Sequence, residues 1–447
     1  YIVMKTKSQE VKLNYLSYSK VTKLLGERWV DLGLKKYAFT YTKKVLPSGL
    51  RVIAKKMSSP LVAINFWAPV GVKDEKPEKN GLSHFFEHMV FKGTTNYPAS
   101  LLSRRVQALG GVMNAGTSLD TTDFYLVVPQ EYWREALELE VDLLFHPLFD
   151  PQEIEKEKMV VIQEIHLDED DPEERLTHLL YERVFSGTPY GKPILGVEDT
   201  VKTFTREDLL EHQKHFYHPA NLTLVVVGDV IEEEVFAEAE RLVGEFHDVE
   251  NFVFSPFPTL LSPNQQMVSC SMDVRRYYGA IGFLTEGIRE DDFYLLRLLS
   301  LILGDGIGSR LNIALREEKK LVDTIHAAYS YYQKAGIFAI FYTFSQGEKE
   351  KIEEEIQKEV RNLISNPPEE EELMRGKNLL RSSLFSVLET TSGAAELLGR
   401  FDVTDNIDRV VRHFFNLGSF KSEDIVEMVR KYLDFERATF IFIEPGA

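Results

Sequence analysis

Cysteine is nearly missing: Cys270 is the only one in 447 residues. That excludes an internal disulfide and any zinc site built from several thiolates. It does not fix the compartment, because many exported proteins also lack disulfides. Long apolar runs are missing too. No stretch approaches the roughly 18 residues that a membrane span requires. Positive charge is outnumbered, with 52 basic against 70 acidic side chains and a net charge of −18. Nucleic-acid binding draws on a basic face that displaces counterions, so this balance argues against it and leaves room for cationic partners such as basic peptides. Residues 1–43 are mixed and basic, without the apolar centre of a signal peptide. They read as an N-terminal extension, with a short helix over Val21–Leu34.

What is present suffices for a large core. Hydrophobic residues make up 44% and charged residues 27%, which rules out wholesale disorder. The length predicts two or three domains. Regular structure is expected from Lys44. A turn over Leu46–Leu50 leads into a strand from Arg51, and Leu61–Val70 is a second strand. Gly81–Phe91 reads as a helix, capped by Asn80 or Ser83. Ser100–Leu109, Glu131–Leu143 and Gln152–Leu167 have helical periodicity, Val112–Val128 alternates like paired strands, and Leu222–Val227 is a short buried strand. Pro256, Pro258 and Pro263 then interrupt any period, so 251–264 reads as a linker between a domain at 44–250 and a second at 265–447. After it the order of elements begins again, and Ala438–Ile443 repeats the place of Leu222–Val227. The reading is α+β, with two structurally repeated domains, each a mixed and mostly antiparallel sheet packed on helices.

The sharpest chemical signal is His84-Phe85-Phe86-Glu87-His88. Positions i and i+4 share a helix face, so His84 and His88 can offer two imidazole nitrogens to one metal ion, with Glu87 beside the same face. Imidazole and carboxylate suit zinc, and catalytic zinc sites usually take a third protein ligand. The helix over Gln152–Leu167 supplies candidates. Glu157 and Glu164 lie two turns apart on one face, around the apolar Val160, Val161 and Ile162. One could bind the metal while the other orients a histidine. The plainer alternative is two surface histidines and a solvated acidic face. No carboxylate follows His212, His215 and His218 at helical spacing, and Pro219 ends their helix, so a metal site there is not expected. His166, beside a run of acids, reads as surface.

The segment Gly81–Thr94 closely resembles the zinc-site segment of the family of pitrilysin, insulysin and mitochondrial processing peptidase. The likeness continues in Leu46-Pro47-Ser48-Gly49-Leu50-Arg51-Val52, in Gly110-Gly111-Val112-Met113-Asn114-Ala115, in Tyr217–Asp229 and in Gly306–Arg316. It implies half of a peptidase clamshell and one Zn2+ per chain, held by His84, His88 and Glu164. It implies Glu87 as the general base that activates zinc-held water for attack on a peptide bond, and Glu157 as a supporting glutamate. Asn114 and Ala115 are implied contacts for the backbone of a peptide substrate that adds to an edge strand.

In the second half, Arg316 matches a substrate-touching arginine of the family, but Asp323 stands where a tyrosine commonly follows. An ionised carboxylate cannot donate the hydrogen bond of that tyrosine. The chain is long enough for two of the four domains that close a chamber in the long family members. The resemblance therefore implies a dimer, either a homodimer or a heterodimer with a related subunit, and Asp323 tilts toward the latter. The rival expectations are a non-catalytic family subunit acting as a scaffold, and a structural zinc.

Overall fold

Strands form where β-branched and aromatic residues crowd, and they assemble into two sheets. The computed structural model describes residues 40–244, 257–258, 265–288, 291–405, 407 and 416–446. The helix expected over Val21–Leu34 and most of the linker expected over 251–264 lie outside these residues.

The first sheet takes Thr42–Val45 (β1), Arg51–Lys56 (β2), Leu61–Ala68 (β3), Val112–Thr117 (β4), Thr122–Pro129 (β5) and Thr223–Gly228 (β6), in the order β1-β2-β6-β3-β5-β4. β2 and β6 pair in parallel, and every other pair is antiparallel. The central β6 is buried along its whole length. On β5 burial alternates, which sends Phe124, Leu126 and Val128 into the core and leaves Asp123, Tyr125 and Val127 on the opposite face.

The second sheet takes Gln266–Met272 (β7), Tyr277–Glu286 (β8), Thr324–Tyr331 (β9), Ala335–Phe344 (β10) and Thr439–Pro445 (β11), in the order β7-β11-β8-β10-β9. It too has one parallel pair, β7 with β11, beside antiparallel neighbours. Apart from β1, the two orders superimpose strand for strand. β6 and β11 occupy the same place, as the sequence repeat implied. β7 had no counterpart in the sequence reading, because its side chains alternate between half-buried and exposed and show no strong apolar face. No helix among the described residues is long and apolar enough to cross a membrane.

Four helices position the metal-ligand candidates and join the two sheets. They are Leu82–Val90 (α1), Pro151–Asp170 (α2), Pro172–Val184 (α3) and Thr391–Thr404 (α4). α2 starts at Asp150, whose carboxylate accepts from the Gln152 and Glu153 amides at 2.7 and 3.3 Å. It runs almost directly into α3, because Asp171 caps the second helix in the same way. α1 and α2 pack on the core of the first sheet through Phe85, Phe86, Met89, Val161 and Ile165.

The sheets exchange helices. α3 comes early in the chain, yet its Leu176, Leu179 and Leu180 pack on Ala280, Ile337, Ala339 and Ile441 of the second sheet. α4 comes late, yet it packs on β3 and β6 of the first. Asp402 of α4 is almost fully buried, accepts from Thr223 Oγ1 at 3.0 Å, and pairs with Arg51 at 3.4 Å and with Lys43. Asp120 ties the halves from the other side. It accepts from the Tyr190 hydroxyl and, at 2.6 Å, from the backbone N–H of Gln333.

Gly399 is where α4 comes closest to the first sheet. A Cβ there would stand 2.1 Å from the indole of Trp67, which is itself buried. Alanine is the better helix former, so local propensity alone would favour Gly399→Ala. Overpacking should win, and the substitution is expected to lower the unfolding free energy by about 1–3 kcal/mol. Urea denaturation measures this, and an unchanged or higher midpoint would show that the ring can yield.

Candidate metal centre

α1 carries three of the candidate residues, and its start is held by an unexpected group. Neither Asn80 nor Ser83 caps it through its side chain. Gly81 occupies the cap position with φ of +93°, which a side-chain-bearing residue rarely adopts. The carboxylate of Glu75 serves as the cap instead. It accepts from the backbone N–H groups of Gly81 at 2.8 Å and Ser83 at 2.7 Å, and from the Asn80 amide at 3.0 Å. Burial nevertheless pushes its pKa up to about 7, against the pull of these bonds.

From α1, His84 and His88 reach one point with Glu164 of α2. Donor atoms of the three lie within 4.8 Å of one another. Glu164 Oε2 stands 3.9 Å from His84 Nε2 and 3.6 Å from His88 Nε2. Zinc ligands sit about 2.0–2.1 Å from the ion, hence roughly 3.4 Å apart in a tetrahedron, so modest closure of this trio would meet that geometry. The chemistry of the donors fits as well. Burial, helped by the neighbouring His88, pushes the pKa of His84 down to about 3, so its imidazole is neutral and keeps a lone pair for a metal. His84 Nδ1 is buried and has no hydrogen-bond partner among the described residues.

His88 is oriented by Glu157. Its Nδ1 lies 2.8 Å from Glu157 Oε1, which turns Nε2 toward Glu164. Burial works against the charged His88, yet the Glu157 bond and three surrounding carboxylates raise its pKa. Glu157 is buried, which alone would raise its own pKa. The bonds from His88 and from Lys92, at 2.5 Å, outweigh burial and hold it low. Glu87 is the fifth member. Burial raises its pKa, while the Thr117 hydroxyl donates to its Oε2 at 2.6 Å and opposes the rise.

The remaining candidates lie apart from this cluster. Asn114 and Ala115 stand on β4, the edge of the first sheet, where Asn114 Oδ1 accepts from the Ala115 amide at 3.0 Å. Arg316 lies in the second half on a π-helical stretch, Asn312–Glu318, with its guanidinium about half exposed and 3.8 Å from Glu317. Asp323 faces Ser345, whose hydroxyl donates to it at 2.6 Å. His212 is packed among Phe86, Phe216 and Tyr217, as a core histidine would be. Sequence reasoning assigned no role to Glu75, Lys92 or Thr117. Lys92 stood inside the segment that carries the resemblance, whereas Thr117 and Glu75 gave no local signal.

Two family profiles cover most of the chain. One, described as insulinase (peptidase family M16), matches residues 51–198, and the other, described as the peptidase M16 inactive domain, matches 203–380. The chain belongs to peptidase family M16. A protein of Rickettsia bellii named as an uncharacterized zinc protease is 31% identical over 407 residues, covering 90% of this chain and 97% of that protein. A probable mitochondrial-processing peptidase subunit beta of Arabidopsis thaliana is 27% identical, covering 79% of this chain and 69% of that protein. The crystal structure of a protease from Helicobacter pylori superimposes with a TM-score of 0.84 at 23% identity, covering 91% of this chain and 99% of the other. That likeness agrees with the fold described above.

The cap on α1 is open to a direct test. Glu75→Ala leaves two helix-start amides unpaired and the Asn80 amide with Pro193 O alone, and is expected to cost about 2–4 kcal/mol in urea denaturation. The carboxyl pKa is raised from 4.5 to about 7 on folding, so the folded state binds the extra proton between these values. Its contribution therefore grows as pH falls from above 7 toward 4.5. In Glu75→Gln that part of the pH dependence of stability is expected to vanish. An unchanged slope would mean that Glu75 stays ionised in the fold.

Proposed function

We propose that this chain is a zinc metalloendopeptidase that hydrolyses peptides or unfolded polypeptide segments. The observation that carries the reading is the convergence of His84, His88 and Glu164 on one point with Glu87 beside them. His84 Nε2, His88 Nε2 and a Glu164 oxygen would hold the ion, which when bound acts as a Lewis acid toward the scissile carbonyl and makes water more acidic. Glu87 takes the proton of the attacking water and returns it to the departing amine nitrogen. Burial raises its pKa, which favours proton uptake, and Thr117 keeps one of its oxygens turned to β4. Glu157 and Lys92 orient His88. The edge of β4 offers main-chain groups to an extended peptide, with Asn114 and Ala115 at the point of addition.

The metal-bearing domain is read as 44–250 and its repeat as 265–447. The enclosed chamber is read as requiring a second subunit. A heterodimer with a related subunit is favoured over a homodimer by Asp323, which is engaged with Ser345 and stands where the family's tyrosine would be. The relative named as a processing-peptidase beta subunit supports this reading. A purely scaffolding role is disfavoured, because it would leave the converging donors His84, His88 and Glu164 and the glutamate that orients His88 without a use.

The purified chain is expected to bind one zinc and to cleave an unfolded peptide. Glu87→Gln should retain the metal and lose cleavage by a factor of about 10²–10⁴. Metal content and fluorogenic peptide assays read both quantities. Zinc without cleavage in the unaltered chain would point to a missing partner subunit, and no zinc after reconstitution would overturn the peptidase reading. Glu157→Gln should weaken zinc binding by about 10–100-fold in competition with a chelating indicator. An unchanged affinity would remove Glu157 from the site.

A further inference from the structure

Asp171 alone separates α2 from α3, ending the first helix and capping the second, which Pro172 then opens. Asp168 stands in the last turn of α2. Glu174 and His178 stand four residues apart on α3 and so share one face of it. The junction folds these side chains together. A carboxylate oxygen of each acid and a ring nitrogen of His178 lie within 4.8 Å of one another, and His178 Nε2 is 3.4 Å from Asp168 Oδ2.

No other partner accounts for this trio. Among the described residues, neither carboxylate meets a lysine or arginine or accepts a hydrogen bond. Two acids that served only to keep the surface solvated would spread apart, and would not converge on an imidazole. The spacing of His178 and Asp168 is close to the roughly 3.4 Å that separates two ligands of a tetrahedral zinc ion. An imidazole beside two carboxylates suits a first-row transition ion, whereas Mg2+ and Ca2+ take oxygen donors. All three side chains are partly exposed and open on a cleft of about 510 Å³. An ion can enter there, and water can complete its coordination.

We infer that Asp168, Glu174 and His178 form a second divalent-cation site, suited to a transition ion such as Zn2+ and distinct from the centre of His84, His88 and Glu164. Its place in the fold gives it a bracing role. Asp168 lies one turn beyond Glu164 on α2, while Glu174 and His178 belong to the helix that is docked on the second sheet. An ion held by all three fastens the helix of the first centre to the other half of the molecule. The inference does not rest on the peptidase reading, because none of its donors belongs to that centre.

The test is equilibrium dialysis of the full chain against Zn2+ at neutral pH, which is expected to load two ions, the second more weakly. His178→Ala and Asp168→Asn each remove a ligand, so they should weaken the second ion by at least the roughly 10-fold that loss of an outer-shell partner costs. His88→Ala should spare it. Both altered positions are partly exposed, so the variants should fold, and far-UV circular dichroism checks that they do. In His88→Ala, added Zn2+ should slow hydrogen exchange of the amides over 168–178, and this slowing should vanish in His88→Ala/His178→Ala. Exchange that ignores zinc would overturn the bracing role. A second ion that survives both ligand variants, or no zinc beyond that lost in His88→Ala, would overturn the site. Displacement by excess Mg2+ would overturn its assignment to a transition ion. Failure of the first centre reads differently: the chain would hold a single zinc that His178→Ala removes and His88→Ala leaves in place.

Discussion

Each sheet of this protein is closed by a helix borrowed from the other half of the chain, and the rest of the structure depends on that exchange. α4 lies on the first sheet, with Gly399 flush against Trp67 and Asp402 buried among Arg51, Thr223 and Lys43. α3 lies on the second sheet through Leu176, Leu179 and Leu180. Burying Asp402 is tolerable because two cations and a hydroxyl meet it, and removing both cations would leave its charge uncompensated. The exchange also positions the metal centre. The helix that carries Glu157 and Glu164 continues across Asp171 into the helix docked on the second sheet. Glu164 is therefore braced from both halves, although the donors that meet it all come from the first.

Within the centre, burial and charge divide the roles of chemically similar groups. His84 is neutral because it is buried with no acid bonded to it, whereas His88 is held by Glu157 and leans toward its charged form. Glu87 and Glu157 are both glutamates near the same histidine. Lys92 and His88 keep Glu157 ionised, while Glu87 has only a hydroxyl donor and rises. One environment suits a fixed orienting anion, and the other suits a group that gives and takes a proton.

Much of this was legible from the sequence because it is local. The four-residue step between His84 and His88 and the seven-residue step between Glu157 and Glu164 are properties of a single helix turn or two. The strands, too, announced themselves by β-branched and aromatic runs. What escaped notice depends on contacts between distant residues. The cap on α1 comes from Glu75, outside the helix, because Gly81 turns the chain back on itself. Thr117 reaches Glu87 only because β4 passes α1. β7 was missed because an edge strand that is half-buried on one face carries no strong apolar signal. No pattern within residues 172–184 says which of two similar sheets they will cover.

The traded helices bear on how the molecule comes into being. A ribosome delivers the first sheet long before residues 391–404 emerge, so Trp67 and Thr223 wait with part of their face open to solvent. Domains that fold as independent units can complete themselves in order of synthesis, but this pair cannot. Its first half is committed to an unfinished state until the last third of the chain arrives. A chaperone that shields apolar surface during that interval would have a defined patch to cover, namely the face of β3 and β6 that α4 later takes.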